Sequence, residues 1–366
     1  MDSYWNGNIK WFTPSEIGKS KYISDSERHI TKEGLKNSSA KLLPKNTILL
    51  SSRATVGEAS IALSVCTTNQ GFQSLIINQN VDNEFIYYLI STIKNEFLRR
   101  SSGSTFLEIS KNEIKKIKIN IPSLEEQKQI SKFFSSIDNK IKLLKEEYYK
   151  YSEFKRFLLN SIFSDSEDKL RFDFDDEWKQ VKLKDIVERV TRKNTNLETD
   201  LALTISAEYG LIDQEEFFNK IVASKSLKNY YLIKNGEFAY NKSYSNGYPY
   251  GAIKRLDDYP MGALSTLYIC FKPTAISSNY LKEYFETTFW YKEIYSIAVE
   301  GARNHGLLNI NVNDFFNTKH LIPPSTEEQE KIADLFKCIN SKIDAANNDL
   351  KLVKNFKKGL LQQMFV

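Results

Sequence analysis

The chain has 366 residues, of which 41% are hydrophobic and 27% charged, and its formal net charge is +5. This length allows two domains with ordinary cores, and the composition suits a soluble globular protein. No run of about 18 apolar residues occurs, which argues against a transmembrane helix. The N-terminal stretch lacks the features of a secretory signal, and the three cysteines are far apart. We therefore expect a reducing, cytoplasmic location without disulfides.

Globular and helical segments alternate along the chain. We predict a globular domain at 1–121, a long helix at 122–163, an acidic linker at 164–177, a second globular domain at 178–322 and a second long helix at 323–366. Each globular segment mixes strand-like runs, at 47–50, 74–77 and 266–271, with one helix, at about 84–100 and about 279–295. The predicted fold class is therefore α/β, in the mixed α+β sense.

The two long helices are copies of one another. Residues 122–163 return at 324–365 without a gap, and 15 of the 42 positions are identical. Ser123 and Ser325 can cap these helices, and the Glu-Glu pair that follows each serine suits the positive end of a helix dipole. A period this long is typical of two large modules, each closed by one helix, rather than of a solenoid.

Apolar residues in both helices recur at alternating steps of three and four, which is the period of a coiled coil. Lys155 and Lys357 interrupt the two stripes at the same place. A helix of about 40 residues spans roughly 60 Å, which exceeds one globular domain of this size, so we predict that the helices pair. Packing of each stripe on its own domain is the alternative. The predicted interface comprises Phe134, Ile137, Ile141, Leu144 and Leu158 of the first helix and Phe336, Ile339, Ile343, Val353 and Leu360 of the second.

The sequence carries no recognisable catalytic constellation. None of its three histidines, His29, His305 and His320, has a cysteine or histidine at metal-ligand spacing. The chain also lacks a P-loop, a Gly-x-Ser-x-Gly turn and a His-Glu-x-x-His motif. These absences favour a binding protein without a metal or cofactor of its own over an autonomous enzyme.

Polar loops that also carry aromatic residues are the better indication of function. Arginine and lysine can read guanine edges, asparagine and glutamine can read adenine edges, and serine and threonine commonly hold phosphates. An ordinary solvated loop is the alternative for each. The predicted DNA-contacting residues are Ser52, Arg53, Asn69, Gln70, Ser104 and Thr105 in the first domain and Asn241, Lys242, Tyr244, Asn246, Arg303 and Asn304 in the second.

Several stretches together resemble the specificity (S) subunit of type I restriction-modification systems. One is the Pro-Ser-x-Glu-Glu-Gln-x-x-Ile start of both long helices. Another is the junction Leu170-Arg171-Phe172 followed by Glu177-Trp178-x-x-Val181-x-Leu183. The others are Tyr-Trp-Asn-Gly-Asn-Ile-Lys-Trp at 4–11 with Thr-Pro-Ser at 13–15, and Ile-Ser-Ala-Glu-Tyr-Gly-Leu at 205–211.

This resemblance implies two target-recognition domains and two long helices that pack antiparallel as a spacer. Each domain would read one half of a split, asymmetric site on double-stranded DNA. The subunit would have no catalysis of its own. It would recruit two modification subunits, which use S-adenosylmethionine to methylate adenine, and restriction subunits in the full complex. We expect the modification subunits to dock near Glu125–Lys132 and Glu327–Asp334.

One feature departs from the family pattern. The second module opens with a lead at 178–186, whereas the first module begins directly at Tyr4-Trp5 without such a lead. We therefore expect a trimmed chain, a rearranged gene or a first domain that another chain completes. Two other functions remain open at this point, a coiled-coil interaction scaffold without DNA binding and a specificity subunit of a type IIB-like restriction enzyme.

Overall fold

The computed structural model describes residues 2–103, 106–164, 166, 169–220, 226–298 and 308–365. The chain forms two compact units, Met1–Glu147 with Ala346–Val366 (unit 1) and Tyr148–Ala345 (unit 2). The division between the units passes through both long helices, so each unit contains one globular part and a portion of either helix.

The described residues of unit 1 form two three-stranded sheets. Its strands are β1 (Trp5–Phe12), β2 (Tyr22–Ile23), β3 (Arg28–Ile30), β4 (Ile48–Leu50), β5 (Ala59–Ala62) and β6 (Thr67–Thr68). Strand β1 lies between β3, which is antiparallel, and β6, which is parallel. Strand β5 lies between β2, which is parallel, and β4, which is antiparallel. The short helices are α1 (Lys32–Lys36), α2 (Asn83–Thr92), α3 (Lys94–Arg99) and α4 (Lys111–Lys115), and 3-10 turns lie at Asp2–Tyr4 and Pro14–Glu16.

Two four-stranded sheets and one two-stranded sheet lie in the part of unit 2 that the structure describes. Its strands are β7 (Lys179–Lys182), β8 (Val187–Val190), β9 (Ala202–Ser206), β10 (Gly210–Asp213), β11 (Tyr231–Lys234), β12 (Phe238–Asn241), β13 (Ala252–Arg255), β14 (Met261–Leu264), β15 (Ile269–Pro273) and β16 (Lys319–Ile322). The strand orders are β10-β9-β14-β11, β13-β12-β15-β8 and β16-β7. The short helices are α6 (Leu183–Ile186), α7 (Gln214–Phe218), α8 (Ser278–Phe285), α9 (Tyr291–Ile297) and α10 (Val312–Phe316).

Both helices predicted inside the globular parts are broken into two. The first breaks at Ile93, between α2 and α3, and the second breaks between α8 and α9. At the first break the hydroxyls of Ser91 and Thr92 donate to the backbone carbonyls of the preceding turn, at 2.6 and 2.8 Å. At the second break the Thr287 hydroxyl donates to the Tyr284 carbonyl at 2.7 Å. Such bonds compete with the helical ladder, which a hydrophobic pattern does not reveal. The predicted strand at 74–77 is also absent, because Leu75 makes only an isolated bridge to Ile48.

The two repeated helices have the same length in the structure. Helix α5 runs over Leu124–Ile162 and helix α11 over Thr326–Met364, each 39 residues and therefore about 58 Å long. Each begins next to its serine, whose hydroxyl accepts from the amide of the second glutamate, Ser123 from Glu126 and Ser325 from Glu328. These bonds cap the helix as the sequence predicts.

In unit 1 the first part of α5 packs antiparallel on the last part of α11. The rings of Phe134 and Phe365 lie 5.8 Å apart, and the Lys357 ammonium lies 2.5 Å from the Asp138 carboxylate. The contact partner at the end of α11 thus moves from residue 365 to residue 357 as the position on α5 moves from 134 to 138, so the two helices run in opposite directions. Five predicted interface residues share one hydrophobic cluster with Tyr88 of α2, and these are Phe134, Ile137, Ile141, Val353 and Leu360.

In unit 2 the last part of α5 packs in the same antiparallel way on the first part of α11. Phe163, which follows α5, stacks on Phe336 at 6.1 Å, and the Lys342 ammonium lies 5.6 Å from the ring of Tyr151. One large hydrophobic cluster of unit 2 includes the predicted interface residues Leu158, Phe336, Ile339 and Ile343. Leu144, the remaining predicted residue, is buried in unit 1.

His320 lies in the interior of unit 2, on β16. Its Nδ1 lies 2.9 Å from the Tyr284 hydroxyl and its Nε2 lies 2.9 Å from the Thr318 hydroxyl. Burial, with a smaller contribution from the charge of Lys292, lowers the pKa of His320 from 6.5 to about 4. The imidazole is therefore neutral in the folded protein across the physiological range.

We expect this histidine to make unit 2 sensitive to acid. In the unfolded chain its pKa is near 6.5, so between about pH 6.5 and pH 4 the unfolded state binds more protons than the folded state. The free energy of unfolding should therefore fall as the pH drops through this window, by up to about 3 kcal/mol. Urea unfolding at a series of pH values tests this. His320→Gln should flatten the dependence of the free energy of unfolding on pH. The control His29→Gln, at a partly exposed residue of unit 1, should leave this dependence unchanged. An unchanged slope in His320→Gln would contradict the assignment.

Candidate DNA-recognition loops and helix-docking site

The loop that carries Arg53 is fixed to the core of unit 1 by its backbone. The Ser52 amide donates to the Gly71 carbonyl and the Ser52 carbonyl accepts from the Ile109 amide, both at 2.9 Å. Ser52 itself is fully buried, so its side chain offers no exposed atom to a nucleic acid and its predicted role needs correcting. The Arg53 side chain is about half exposed, with Nε 3.8 Å from the Glu108 carboxylate.

Asn69 and Gln70 lie in the turn that adjoins this loop. The Asn69 side-chain oxygen accepts from the Gly71 amide at 2.8 Å, and the Asn69 amide donates to the Phe12 carbonyl at 3.0 Å. Gln70 is exposed. Because Gly71 also bonds to Ser52, the structure brings Arg53 and this turn to one edge of unit 1.

In unit 2 three of the predicted residues share a cleft of about 320 Å³. Asn241, Tyr244 and Asn246 line it together with Ser206 and Glu208, which the sequence analysis did not assign to a site. The cleft offers amides, hydroxyls, one carboxylate and the exposed ring of Tyr244 to a ligand. Amide side chains can form paired hydrogen bonds with adenine, and an aromatic ring can stack on a base.

The β12–β13 hairpin that carries the three predicted residues of this cleft requires a glycine at position 251. Gly251 has φ of +78°, and a Cβ at this position would lie 2.0 Å from the Asn241 carbonyl oxygen. Only glycine fits such a contact at a positive φ. Lys242 does not line the cleft, but its carbonyl accepts from the Leu308 amide at 3.0 Å.

Tyr248 also lines the cleft. Burial raises the pKa of its hydroxyl, and the carboxylates of Glu286 and Glu208 raise it further. The hydroxyl therefore keeps its proton at neutral pH, and it can donate to an acceptor in the cleft. The four remaining predicted residues, Ser104, Thr105, Arg303 and Asn304, lie outside the described residues.

A glutamine at the start of each long helix holds the helix to its globular part. The Gln127 side-chain oxygen accepts from the amide of Asp82, the N-cap of α2, at 2.9 Å, and its amide group donates to the Pro122 carbonyl at 2.8 Å. Its repeat partner Gln329 accepts from the amide of Ser277, the N-cap of α8, at 2.8 Å. Gln329 likewise donates to a proline carbonyl, that of Pro323, at 2.9 Å.

The lysine that interrupts each heptad stripe has a carboxylate partner in both units. In unit 1 Lys357 pairs with Asp138 of α5, which also accepts from the Tyr88 hydroxyl of α2 at 2.6 Å. In unit 2 Lys155 lies 3.4 Å from Glu283 of α8. Asn340 of α11, the repeat counterpart of Asp138, donates to Glu283 at 3.0 Å. Each lysine therefore joins both long helices to the globular part of its unit.

The predicted docking surfaces are only partly exposed. In Glu125–Lys132 the side chains of Gln127 and Ser131 are buried. In Glu327–Asp334 the side chain of Glu328 is fully buried, and its carboxylate accepts from Trp178 Nε1 at 2.9 Å and from the Arg171 guanidinium at 3.0 and 3.1 Å. Glu328 is therefore a structural residue and is not part of a surface.

The sequence analysis did not assign roles to the docking glutamines or to the two lysines, although the repeat marks all of them. Gln127 matches Gln329 and Lys155 matches Lys357 in the two copies, which are identical at only 15 of 42 positions. Identity of a polar residue within a repeat indicates a shared contact. The identity alone does not name the partner, which lies elsewhere in the chain.

None of the helices in the described part of the chain combines the length and the apolar character of a membrane span. The same residues include no group of three or more His, Cys, Asp and Glu side chains that could hold a metal ion.

Comparison with known proteins connects this architecture to one class. Residues 2–150 match the family described as the type I restriction modification DNA specificity domain. The crystal structure of a type I restriction-modification S subunit from M. genitalium matches with a TM-score of 0.60 and 16% identity, and it covers 100% of this chain and 94% of its own. Two mixed α/β globular parts on copies of one long helix are therefore a known fold.

Curated relatives carry the same description. The MjaIX specificity subunit of Methanocaldococcus jannaschii is 40% identical over 151 residues, which are 40% of this chain and 35% of that protein. The MjaVIII specificity subunit of the same organism is 22% identical over 308 residues, 78% of this chain and 69% of that protein. The match with the first relative thus spans about a third of its length. The resemblance to type I specificity subunits that the sequence indicates is confirmed.

We expect the docking glutamines to contribute to stability. Gln127→Ala removes the acceptor of the partly buried Asp82 amide and should lower the free energy of unfolding of unit 1 by about 1–3 kcal/mol. The matched control is Gln129→Ala, because Gln129 is exposed two residues away on the same helix. Urea unfolding of both variants measures the difference. Equal losses in the two variants would show that the buried contact has no special role.

Proposed function

We propose that this chain is the DNA-specificity subunit of a type I restriction-modification complex. Each globular part contacts one half of a split, asymmetric site on double-stranded DNA. The chain performs no catalysis itself and recruits two modification subunits, with restriction subunits in the full complex. S-adenosylmethionine is held by the modification subunits.

One observation carries this proposal: the same helix contact occurs on two unlike globular parts. Gln127 and Gln329 accept from N-cap amides in both units, although the sheets that surround these N-caps differ in strand number and order. A constant attachment with a variable globular part suits a protein that joins different recognition surfaces to one spacer. An interaction scaffold without DNA binding would have no need for a constant attachment that carries different globular parts.

The loops named above support two different half-sites. The edge of unit 1 presents Arg53 and Gln70, whereas the cleft of unit 2 presents Asn241, Tyr244 and Asn246. An arginine prefers guanine and an asparagine prefers adenine in the major groove. Different side chains at the two sites therefore favour different bases, which makes the target asymmetric.

Exposed phenylalanines at equivalent helix positions support two docking surfaces for the modification subunits. Phe154 of α5 is 48% exposed and Phe356 of α11, its identical repeat counterpart, is 58% exposed. Phe157 stacks beside Phe154 at 6.5 Å and is also exposed, whereas its repeat counterpart is Gly359, so the phenylalanine that both surfaces share is Phe154 or Phe356. Large apolar side chains kept at the surface commonly mark sites of protein association. Two copies of one surface would bind two copies of one partner.

We expect the length of the helices to set the gap between the half-sites. Deleting one heptad at equivalent positions of both helices, 144–150 and 346–352, keeps the coiled-coil phase and shortens each helix by about 10.5 Å. The preferred gap should shrink by about 3 base pairs, because base pairs rise by roughly 3.4 Å. Methylome sequencing of a host that carries the variant reads both halves and the gap. A changed half-site with a fixed gap would contradict this assignment.

We expect Arg53→Ala and Lys242→Ala to separate base contacts from phosphate contacts. A base contact that is lost should relax specificity at one position, at a cost of about 1–3 kcal/mol. A phosphate contact that is lost should weaken binding to all sequences and flatten the dependence on salt. Methylation footprints and duplex binding at several salt concentrations distinguish the two outcomes. Arg99→Ala, at an exposed arginine of α3, is the control, and wild-type behaviour of both test variants would refute the choice of loops.

A further inference from the structure

Unit 2 contains a segment, 169–186, to which no described residues of unit 1 correspond; it comprises the lead at 178–186 and the nine residues before it and is called the lead segment here. Its strand β7 pairs antiparallel with β16, residue by residue from Lys179 opposite Ile322 to Lys182 opposite Lys319. Its Trp178 is buried against Phe163 and Tyr280, with ring centroids 6.3 and 6.4 Å away. The segment therefore adds one strand and one aromatic anchor to the unit.

A buried carboxylate holds the lead segment in place. Glu328 accepts from Trp178 Nε1 at 2.9 Å and from two nitrogens of Arg171. The carboxylate is fully buried, and the arginine supplies the positive charge that makes this burial tolerable. Three features thus receive the segment: the edge of strand β16, an aromatic pair and a glutamate.

All three receiving features are present in unit 1. The aromatic pair is Phe85 and Phe365, with centroids 5.1 Å apart, compared with 5.5 Å for Tyr280 and Phe163. Phe365 is the repeat counterpart of Phe163, and Phe85 occupies the third position after the N-cap in α2, as Tyr280 does in α8. The glutamate is Glu126, the repeat counterpart of Glu328.

The strand edge in unit 1 is the stretch 118–121. The proline carbonyls that bind the docking glutamines set the correspondence, because Pro122 takes the place of Pro323. Ile119 and Ile121 then correspond to His320 and Ile322, which are buried and lie on the strand that pairs with the lead segment. Ile119 is 42% exposed and Ile121 is 44% exposed. Residues 118–121 make no backbone hydrogen bond to any other described residue.

These features line one groove. It has a volume of about 450 Å³, and Phe85, Phe365, Ile119, Ile121 and Glu126 all line it. Glu126 is exposed here, whereas its counterpart Glu328 is fully buried. The groove therefore combines an apolar floor, a free backbone edge and an accessible negative charge, which are the elements of recognition by strand addition.

We propose that this groove binds an extended segment with the chemistry of the lead segment. The occupant carries an arginine, a tryptophan seven residues later and a β-strand directly after the tryptophan. Its strand pairs with 118–121, its tryptophan packs on Phe85 and Phe365, and its arginine pairs with Glu126. The proposal does not depend on DNA recognition by either unit.

Binding of a peptide with the sequence of residues 169–185 to the full chain tests the proposal. We expect one saturable site per chain. Trp178→Ala in the peptide should weaken binding at least tenfold, because a buried tryptophan is a typical anchor of an interface. Glu126→Gln in the protein should weaken the wild-type peptide about tenfold and should leave a peptide with Arg171→Ala unaffected. That pattern would show that Glu126 of the protein and the arginine of the peptide interact directly.

Two further variants place the site and guard against misfolding. Ile121→Asp, at an exposed position, should abolish binding without moving the unfolding midpoint of unit 1, and Glu125→Gln should change neither. Saturable binding that survives both Ile121→Asp and Glu126→Gln would overturn the proposal, because the peptide would then occupy another site, such as that of the chain's own lead segment. No saturable binding at about 1 mM peptide would overturn it as well. Self-association of the chain that Ile121→Asp abolishes, together with no saturable binding of the peptide, would identify a second copy as the occupant of the groove, which also overturns it.

Discussion

Both units depend on one kind of contact, in which a phenylalanine early in one long helix packs on the phenylalanine that ends the other. Phe134 and Phe336 are fully buried and are repeat counterparts of one another. Phe134 packs on Phe365, and Phe336 packs on Phe163, which is the repeat counterpart of Phe365. Helices of the globular parts pack on the same rings, as Tyr88 does on Phe134 at 5.1 Å. Loss of this contact would expose the core of the globular part as well as the helix stripe. Folding of each unit is therefore tied to pairing of residues about 170–230 positions apart in sequence.

The sequence predicted the long helices well because their determinants are local. Serine caps, a heptad stripe and an internal copy all lie within α5 or α11, so the predicted limits of 122–163 and 323–366 differ from the observed ones by three residues or fewer. The antiparallel arrangement also fits the apolar stripes. The sequence could not show that each helix contributes to two units, because the stripe is the same along its whole length and only contacts with the globular parts distinguish its halves.

The candidate site was predictable in part. Loops rich in amides and cations can be found in a sequence, and Asn241, Tyr244 and Asn246 lie together in one cleft. Burial within such a loop depends on partners that are distant in sequence, which is why Ser52 was assigned to the surface although Gly71 and Ile109 cover its backbone. The docking glutamines were missed for the same reason. They accept hydrogen bonds from N-cap amides that no periodic pattern connects to the long helices.

The lysine contacts have a consequence for chimeric proteins built by exchanging the globular parts. Lys357 finds its carboxylate on the helix, at Asp138, whereas Lys155 finds it on the globular part, at Glu283. Moving the second globular part onto the first position would bring Glu283 beside Asp138 and leave two acids to share one base. The reverse graft would set Tyr88 beside Asn340 and give Lys155 no acid at all. A globular part that is exchanged between the two positions must therefore be transferred together with the residue at helix position 138 or 340 that matches it. The acid that pairs with the lysine lies on the long helix in one unit and on the globular part in the other.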